Sequence, residues 1–273
     1  QWEALPLPDC SHAGREGISE FFEKKLRKKL QGWSAGVIRV TAEPEAAGEI
    51  ALLETERSLA VLRMFSYAAL TPKATCYCAV MGKEKMESIS VIMLKDNEFH
   101  LREQYVDEGQ SGWFLDDDYF EKVHKTGLGI LSGLLRARRI TEFQQSILDS
   151  VTLYSKATQE RDLAGKLVYL LASLEGVFLT DPNEPVQQNL GERIATLIGE
   201  NLKEKKDIIR NIKGIYRLRS DFLHHAHSID DCSELQTFMH NGWRAMITVI
   251  DNHDRFSTKH DFDSAIDDRK LSP

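Results

Sequence analysis

The chain has 273 residues, of which 42% are hydrophobic and 28% charged, and a formal net charge of −7. That balance suits a globular protein with a substantial core and excludes disordered or collagen-like chains. The negative charge repels polyanions at long range, so any nucleic-acid site has to be a local basic surface.

At about 150 residues per domain, the length predicts two modest domains. No apolar run approaches the roughly 20 residues that cross a bilayer, because Tyr169, Ser173 and Glu175 interrupt even Leu167–Leu179. Gln1–Ser11 has no basic segment followed by an apolar one, so no secretory leader is expected there. Cys10, Cys76, Cys78 and Cys232 are scattered and contain no CxxC pair, which points to free thiols in a reducing cytoplasm.

Arg15–Leu30 places Ile18, Phe21, Phe22, Leu26 and Leu30 at helical spacing among basic residues and predicts an amphipathic helix. Val37–Val40 predicts a short strand. Glu45–Leu70 predicts a long helix stopped by Thr71-Pro72. Thr75–Met81, Ser88–Leu94 and Glu98–Gln104 then read as an antiparallel meander, with turns at Gly82-Lys83 and Asp96-Asn97. Alternation along the first strand sets Cys76 and Cys78 on one face, as buried small hydrophobes or, less simply, as metal ligands. Val106–Asp118 is acidic, contains Gly109, Gly112 and Trp113, and predicts a loop.

Beyond it the chain is helical. Helices are predicted over Asp117–Arg136, Thr141–Ala157, Arg161–Leu179, Val186–Ile198, Glu204–Leu223 and Ser233–His253, with a weaker one near the end. Asp181–Pro185 is a break. The expected fold class is mainly α with an α+β N-terminal part. It divides into an α+β module over 1–115, connecting helices over 116–158 and a helical domain over 159–273.

Several familiar sites are missing. Gly127, Gly129 and Gly133 follow a helix rather than a strand, and their spacing is not the dinucleotide fingerprint. There is no GxxxxGK[ST], HExxH or GxSxG. His224, His225 and His227 with Asp230, Asp231 and Cys232 offer metal-ligand chemistry in no familiar spacing, and a polar helix end is the commoner explanation.

The helix over Glu204–Leu223 separates into two stripes. Lys206, Arg210, Lys213 and Arg217 recur at steps of four, three and four, a basic face that Lys203 extends. Ile208, Ile212, Ile215, Tyr216, Phe222 and Leu223 form the apolar face. Arg219 falls on the apolar face, three after Tyr216 and three before Phe222, where a guanidinium needs a partner or a polar cleft. Glu175, set among Leu170, Leu171, Leu174 and Phe178, is the candidate partner. One possibility is a buried Arg219–Glu175 pair that fixes helix packing, in which truncating Arg219 strands a buried carboxylate. The other is a functional site completed by His224. Five positions on a regular helix turn about 140° net, so a frayed helix end or a second subunit has to bring Arg219 and His224 together.

These residues resemble the HEPN superfamily, whose ribonucleases carry Arg-x4-6-His at a helix end, and more closely its Apea-like branch. The resemblance covers Leu163 to about Ile229: Leu174-Glu175 in a first helix, Glu192-Arg193-Ile194-Ala195 in a second, and Tyr216–His224 in a third. Arg219 with His225, or Arg217 with His224, also satisfies the loose spacing. The Tyr-x-x-Arg-Ser frame selects Arg219 and His224. His225 stands where a small residue often follows the histidine in that branch.

The resemblance implies an all-α HEPN-type helical bundle at the C-terminus, metal-independent RNA cleavage through Arg219 and His224, and a homodimer with two motifs face to face. Glu175, Ser220, Asp221 and His225 are expected in support, with Lys206, Arg210, Lys213 and Arg217 along the RNA backbone. No metal or cofactor is expected. The implied role is antiviral defence in the bacterial cytoplasm, with residues 1–115 sensing a trigger or binding a partner. The rival is a catalytically silent HEPN-like module that dimerises or binds RNA or a nucleotide.

Overall fold

A computed structural model describes residues 36–80, 88–95, 98–105, 116–181, 183–225 and 232–271, with isolated positions between Lys24 and Gln31; for the two strands and for 223–225 and 271 it describes the backbone course. The chain falls into two compact units, Gln1–Thr41 and Ala42–Pro273. In the first, Lys24, Lys25, Arg27 and Lys28 are helical and exposed, and most of the expected Arg15–Leu30 helix lies outside the described residues. Val37–Val40 is irregular instead of the expected strand, and Val37 is exposed.

In the second unit, α1 spans Pro44–Arg63, with Pro44 in its first turn and Glu45 and Arg63 at the ends that suit their charge. It stops short of the expected Leu70, because the chain breaks at Ser66, whose hydroxyl donates to the Arg63 carbonyl at 2.7 Å. A single 3-10 turn, Tyr67–Ala69, follows.

The expected strand over Thr75–Met81 is not a strand in its described part. Tertiary contacts take backbone groups in this stretch and just before it. Tyr154 donates to the Ala69 carbonyl at 3.0 Å, Lys166 to those of Pro72 at 2.6 Å and Ala74 at 2.7 Å, and Arg63 to that of Cys78 at 2.6 Å. The Cys76 N–H donates to the Thr158 carbonyl at 2.8 Å. Burial lowers the pKa of the Lys166 ammonium to about 8, yet two carbonyls still receive its protons. Cys76 is buried here as a small hydrophobe; burial, first of all, raises the pKa of the half-buried Cys78 thiol.

Among the described residues the meander is a two-stranded hairpin, and they do not support the expected α+β layer beyond it. Its strands, β1 (Ser88–Lys95) and β2 (Glu98–Tyr105), pair antiparallel from Ser88↔Tyr105 to Lys95↔Glu98. The Gly82-Lys83 and Asp96-Asn97 turns and residues 106–115 of the acidic loop lie outside the described residues. The last of the loop's aspartates start a helix: Asp116 caps α2 (Asp117–Val123) by accepting from the Tyr119 N–H at 2.7 Å.

The expected helix over Asp117–Arg136 is interrupted. A π-type turn at His124–Leu128 separates α2 from α3 (Gly129–Arg136), with Gly127 at φ 133°. A Cβ at Gly127 would also come within 3.2 Å of Ile250. Next is α4 (Glu142–Gln159), opened by a capping box between Thr141 and Gln144. Then come α5 (Leu163–Phe178), α6 (Val186–Ile198), α7 (Leu202–His225), α8 (Ser233–Asp251) and α9 (Lys259–Leu271).

In this bundle α4 packs on α5 and α6 on α7. One core cluster joins Val61, Met64 and Phe65 to Phe143, Leu174, Ile212, Met246 and Phe262. It thus runs across the boundaries expected at 115/116 and 158/159, and the division between units falls at Thr41/Ala42. Among the described residues no helix is long and apolar enough to cross a membrane.

Candidate functional site

The last turn of α5 turns Leu174, Val177 and Phe178 into the core and leaves Glu175 on the flank facing α7. On α7, Ile208, Ile212 and Ile215 are fully buried, but from Tyr216 to Phe222 no residue is. Past Ile215 the helix is only partly buried, with Tyr216 and Leu218 packed against the edge of the core. Arg219 is for that reason a flanking residue and not a sealed one, with 38% of its side chain exposed against 27% for Glu175.

Three side chains meet at this edge. The Tyr216 hydroxyl donates to Glu175 Oε1 at 2.7 Å, and Arg219 Nη1 stands 3.8 Å from the same oxygen. At that separation the charges attract but no short hydrogen bond forms. Arg219 Nε is enclosed and has no hydrogen-bond partner among the described residues. Burial, and then the bond to Glu175, push the Tyr216 phenol well above its usual acidity range, so it acts as a donor at neutral pH.

Ser220 is exposed and Asp221 half-buried one and two positions after Arg219. Lys203, Lys206, Arg210, Lys213 and Arg217 all lie on the exposed side of α7, and Arg210 pairs with Asp207 at 2.8 Å. The backbone carries His224 and His225 on the final turn of α7; their side chains lie outside the described residues, as do His227, Asp230 and Asp231. Among the described residues no group of three His, Cys, Asp or Glu side chains could hold a metal ion.

A second arginine provides the contrast. Arg193, three residues after Leu190 and four before Leu197 on α6, is 6% exposed. It donates to the Phe178 carbonyl and pairs with Glu184 at 3.0 Å, Asp263 at 3.3 Å and Asp267 at 3.0 Å. Alongside it, Lys270 pairs with Glu192 at 2.7 Å. This network ties α9 to α6, and its carboxylates occupy the Arg193 guanidinium. Arg219, by contrast, faces one carboxylate among the described residues, Glu175 at 3.8 Å.

No family model matches the chain. No curated protein and no solved structure matches it either. Glu175 and the Tyr216–Arg219 turn lie together, and Glu192-Arg193 lies in the α6–α9 network.

Proposed function

We infer that the chain is a metal-independent endoribonuclease of HEPN type, acting as a homodimer through its C-terminal helices. What carries this reading is the state of Arg219: a guanidinium facing Glu175 at 3.8 Å, with Nε lacking a hydrogen-bond partner among the described residues and more than a third of the side chain open. It sits five residues before His224 on a helix whose outer face is a run of exposed cations.

RNA supplies its own nucleophile. A base takes the proton of the 2′-hydroxyl, the 2′-oxygen attacks the adjacent phosphorus, and the 5′-oxygen leaves with a proton. The products are a 2′,3′-cyclic phosphate and a 5′-hydroxyl. Histidine suits both proton transfers because its unperturbed pKa lies near neutrality, and His224 from each of two copies would serve as base and acid. Arg219 would hold the phosphate oxygens while staying charged through the reaction. Lys206, Arg210, Lys213 and Arg217 would follow the RNA backbone, with counterion release supplying affinity. We place the activity in bacterial antiviral defence of the abortive-infection kind, in the cytoplasm, with the segment before residue 116 as trigger-sensing or partner-binding region.

The pairing of Arg219 with Glu175 also favours a second reading, a catalytically silent HEPN-like module that dimerises or binds RNA or a nucleotide. Incubating the purified protein with mixed RNAs in chelator, followed by chemical identification of the ends, separates the two. Cyclic phosphate ends that disappear with Arg219→Ala support the nuclease. RNA bound and uncut leaves the silent module. Light scattering is expected to report a dimer, and a monomer at high concentration with RNA bound overturns the shared-cleft arrangement.

A further inference from the structure

We propose that Tyr216 is a positioning residue for the phosphate-binding guanidinium: its hydroxyl holds Glu175 at the distance from Arg219 that orients the guanidinium without occupying its donors. This rests on the ribonuclease reading for its catalytic consequence. The geometry stands apart from that reading.

Glu175 Oε1 is shared. It accepts from Tyr216 at 2.7 Å and faces Arg219 Nη1 at 3.8 Å. Without the tyrosine hydroxyl, the carboxylate can close on the guanidinium as a direct bidentate pair, the geometry that arginine and carboxylate favour. Such a pair would occupy two of the N–H donors that a phosphodiester needs. The phenol also lies one helical turn before Arg219, so both side chains reach the same carboxylate from one helix face. Arg193 illustrates the opposite outcome, a guanidinium closed upon by Glu184, Asp263 and Asp267.

The role differs from packing in what it moves. Tyr216→Phe keeps the ring and removes only the hydroxyl, and thermal melting checks that the fold survives. Glu175→Gln serves as a second variant, because a neutral amide cannot form the competing ion pair. Misorientation of a reacting group costs about 10- to 100-fold in rate. The expected result is that Tyr216→Phe lowers kcat on a short RNA by about that factor with KM changed less, and that the Tyr216→Phe/Glu175→Gln double variant cleaves at the rate of Glu175→Gln alone.

A second readout needs no cleavage. Arg219 Nε is enclosed, so its N–H should exchange slowly with water and give a nitrogen-15 resonance that Arg219→Lys removes. Tyr216→Phe is expected to shift that resonance and to weaken the response of Arg219 to added inorganic phosphate. An unmoved resonance and an unchanged phosphate response overturn the positioning role, whatever happens to cleavage. Absence of cleavage by the wild type, with the resonance still moved by Tyr216→Phe, removes the ribonuclease reading and leaves the positioning role standing.

Discussion

Arg219 Nη1 faces Glu175 Oε1 at 3.8 Å across the ends of α7 and α5, with both side chains partly open to solvent. Sequence spacing leaves open a sealed pair whose loss would strand a buried carboxylate, beside a functional site. After Ile215 the described residues of α7 are at most partly buried, and the carboxylate is only partly buried with Tyr216 donating to it. Exposed ion pairs contribute about 1 kcal/mol or less. Arg219→Ala is therefore expected to melt within a few degrees of the wild type while cleavage falls by at least about 100-fold, the loss typical of removing a charge-stabilising donor. Thermal melting and cleavage rate in chelator measure both; a cooperative collapse of the fold would return Arg219 to a packing role.

Lys206, Arg210 and Lys213 project from the side of α7 opposite Ile208, Ile212 and Ile215. Replacing all three with alanine is expected to leave the melting temperature nearly unchanged and to weaken RNA binding. It should also flatten the salt dependence by about 0.7 in log–log slope for each phosphate no longer neutralised on single-stranded RNA. Arg210 already shares charge with Asp207 at 2.8 Å, so Lys206 and Lys213 should carry more of the change. Equal affinity and equal slope in the triple variant would show that RNA enters elsewhere.

The helices are legible in the sequence because their boundaries are local chemistry. Val186–Ile198 is found with both expected ends, and Thr141 and Asp162 cap helices at or beside their expected starts. What the sequence hides depends on tertiary partners. Thr75–Met81 has strand composition, but in its described part Arg63 takes the Cys78 carbonyl and the Thr158 carbonyl takes the Cys76 N–H, groups that a ladder would have used. The Gly127 turn is invisible to periodicity, because a π-type turn delays the helical phase without ending it. At the site, the rule that a charge on an apolar stripe needs partners points first to Arg219, which is half-open, whereas Arg193 is the arginine that obeys it fully. Periodicity assigns Tyr216 to the core; its spacing of three from Arg219 is the signal that it shares Glu175.

Asp263 makes the clasp between α9 and α6 pH-dependent. Burial raises its carboxyl to about 6 from an ordinary 3.8, and nearby Glu184 adds to the rise against Thr180, Arg193 and Lys259. A carboxyl with a raised folded-state value binds a proton more readily folded than unfolded. Its stabilising contribution is thus complete below the unfolded value and is lost as pH rises through about 6. Asp267 and Glu192, whose values are lowered, act in the opposite sense, and their contribution is lost only in more acidic solution. Between about pH 7 and pH 5 the Asp263 contribution is about 1 kcal/mol. Urea unfolding is expected to show the wild type gaining this on acidification relative to Asp263→Asn, and parallel pH profiles for the two proteins would refute it.

The register of the motif is decided by His224 and His225, consecutive residues on the final turn of α7. On a helix they diverge by about 100°, so one of them at most can share a phosphate with Arg219 in a given geometry. The Tyr-x-x-Arg-Ser frame selects His224. In the sequence both fall at the polar end of the helix, so alanine at either position is expected to remove little packing, and melting temperatures should stay close to the wild type. Loss of a proton-transfer group costs about 10²- to 10⁴-fold in rate. His224→Ala is accordingly expected to abolish cleavage with RNA affinity and dimer retained, and His225→Ala to keep most activity. The reverse pattern moves the register by one residue and pairs Arg219 with His225. Full activity in both variants, with Arg219→Ala also active, ends the nuclease assignment at this helix.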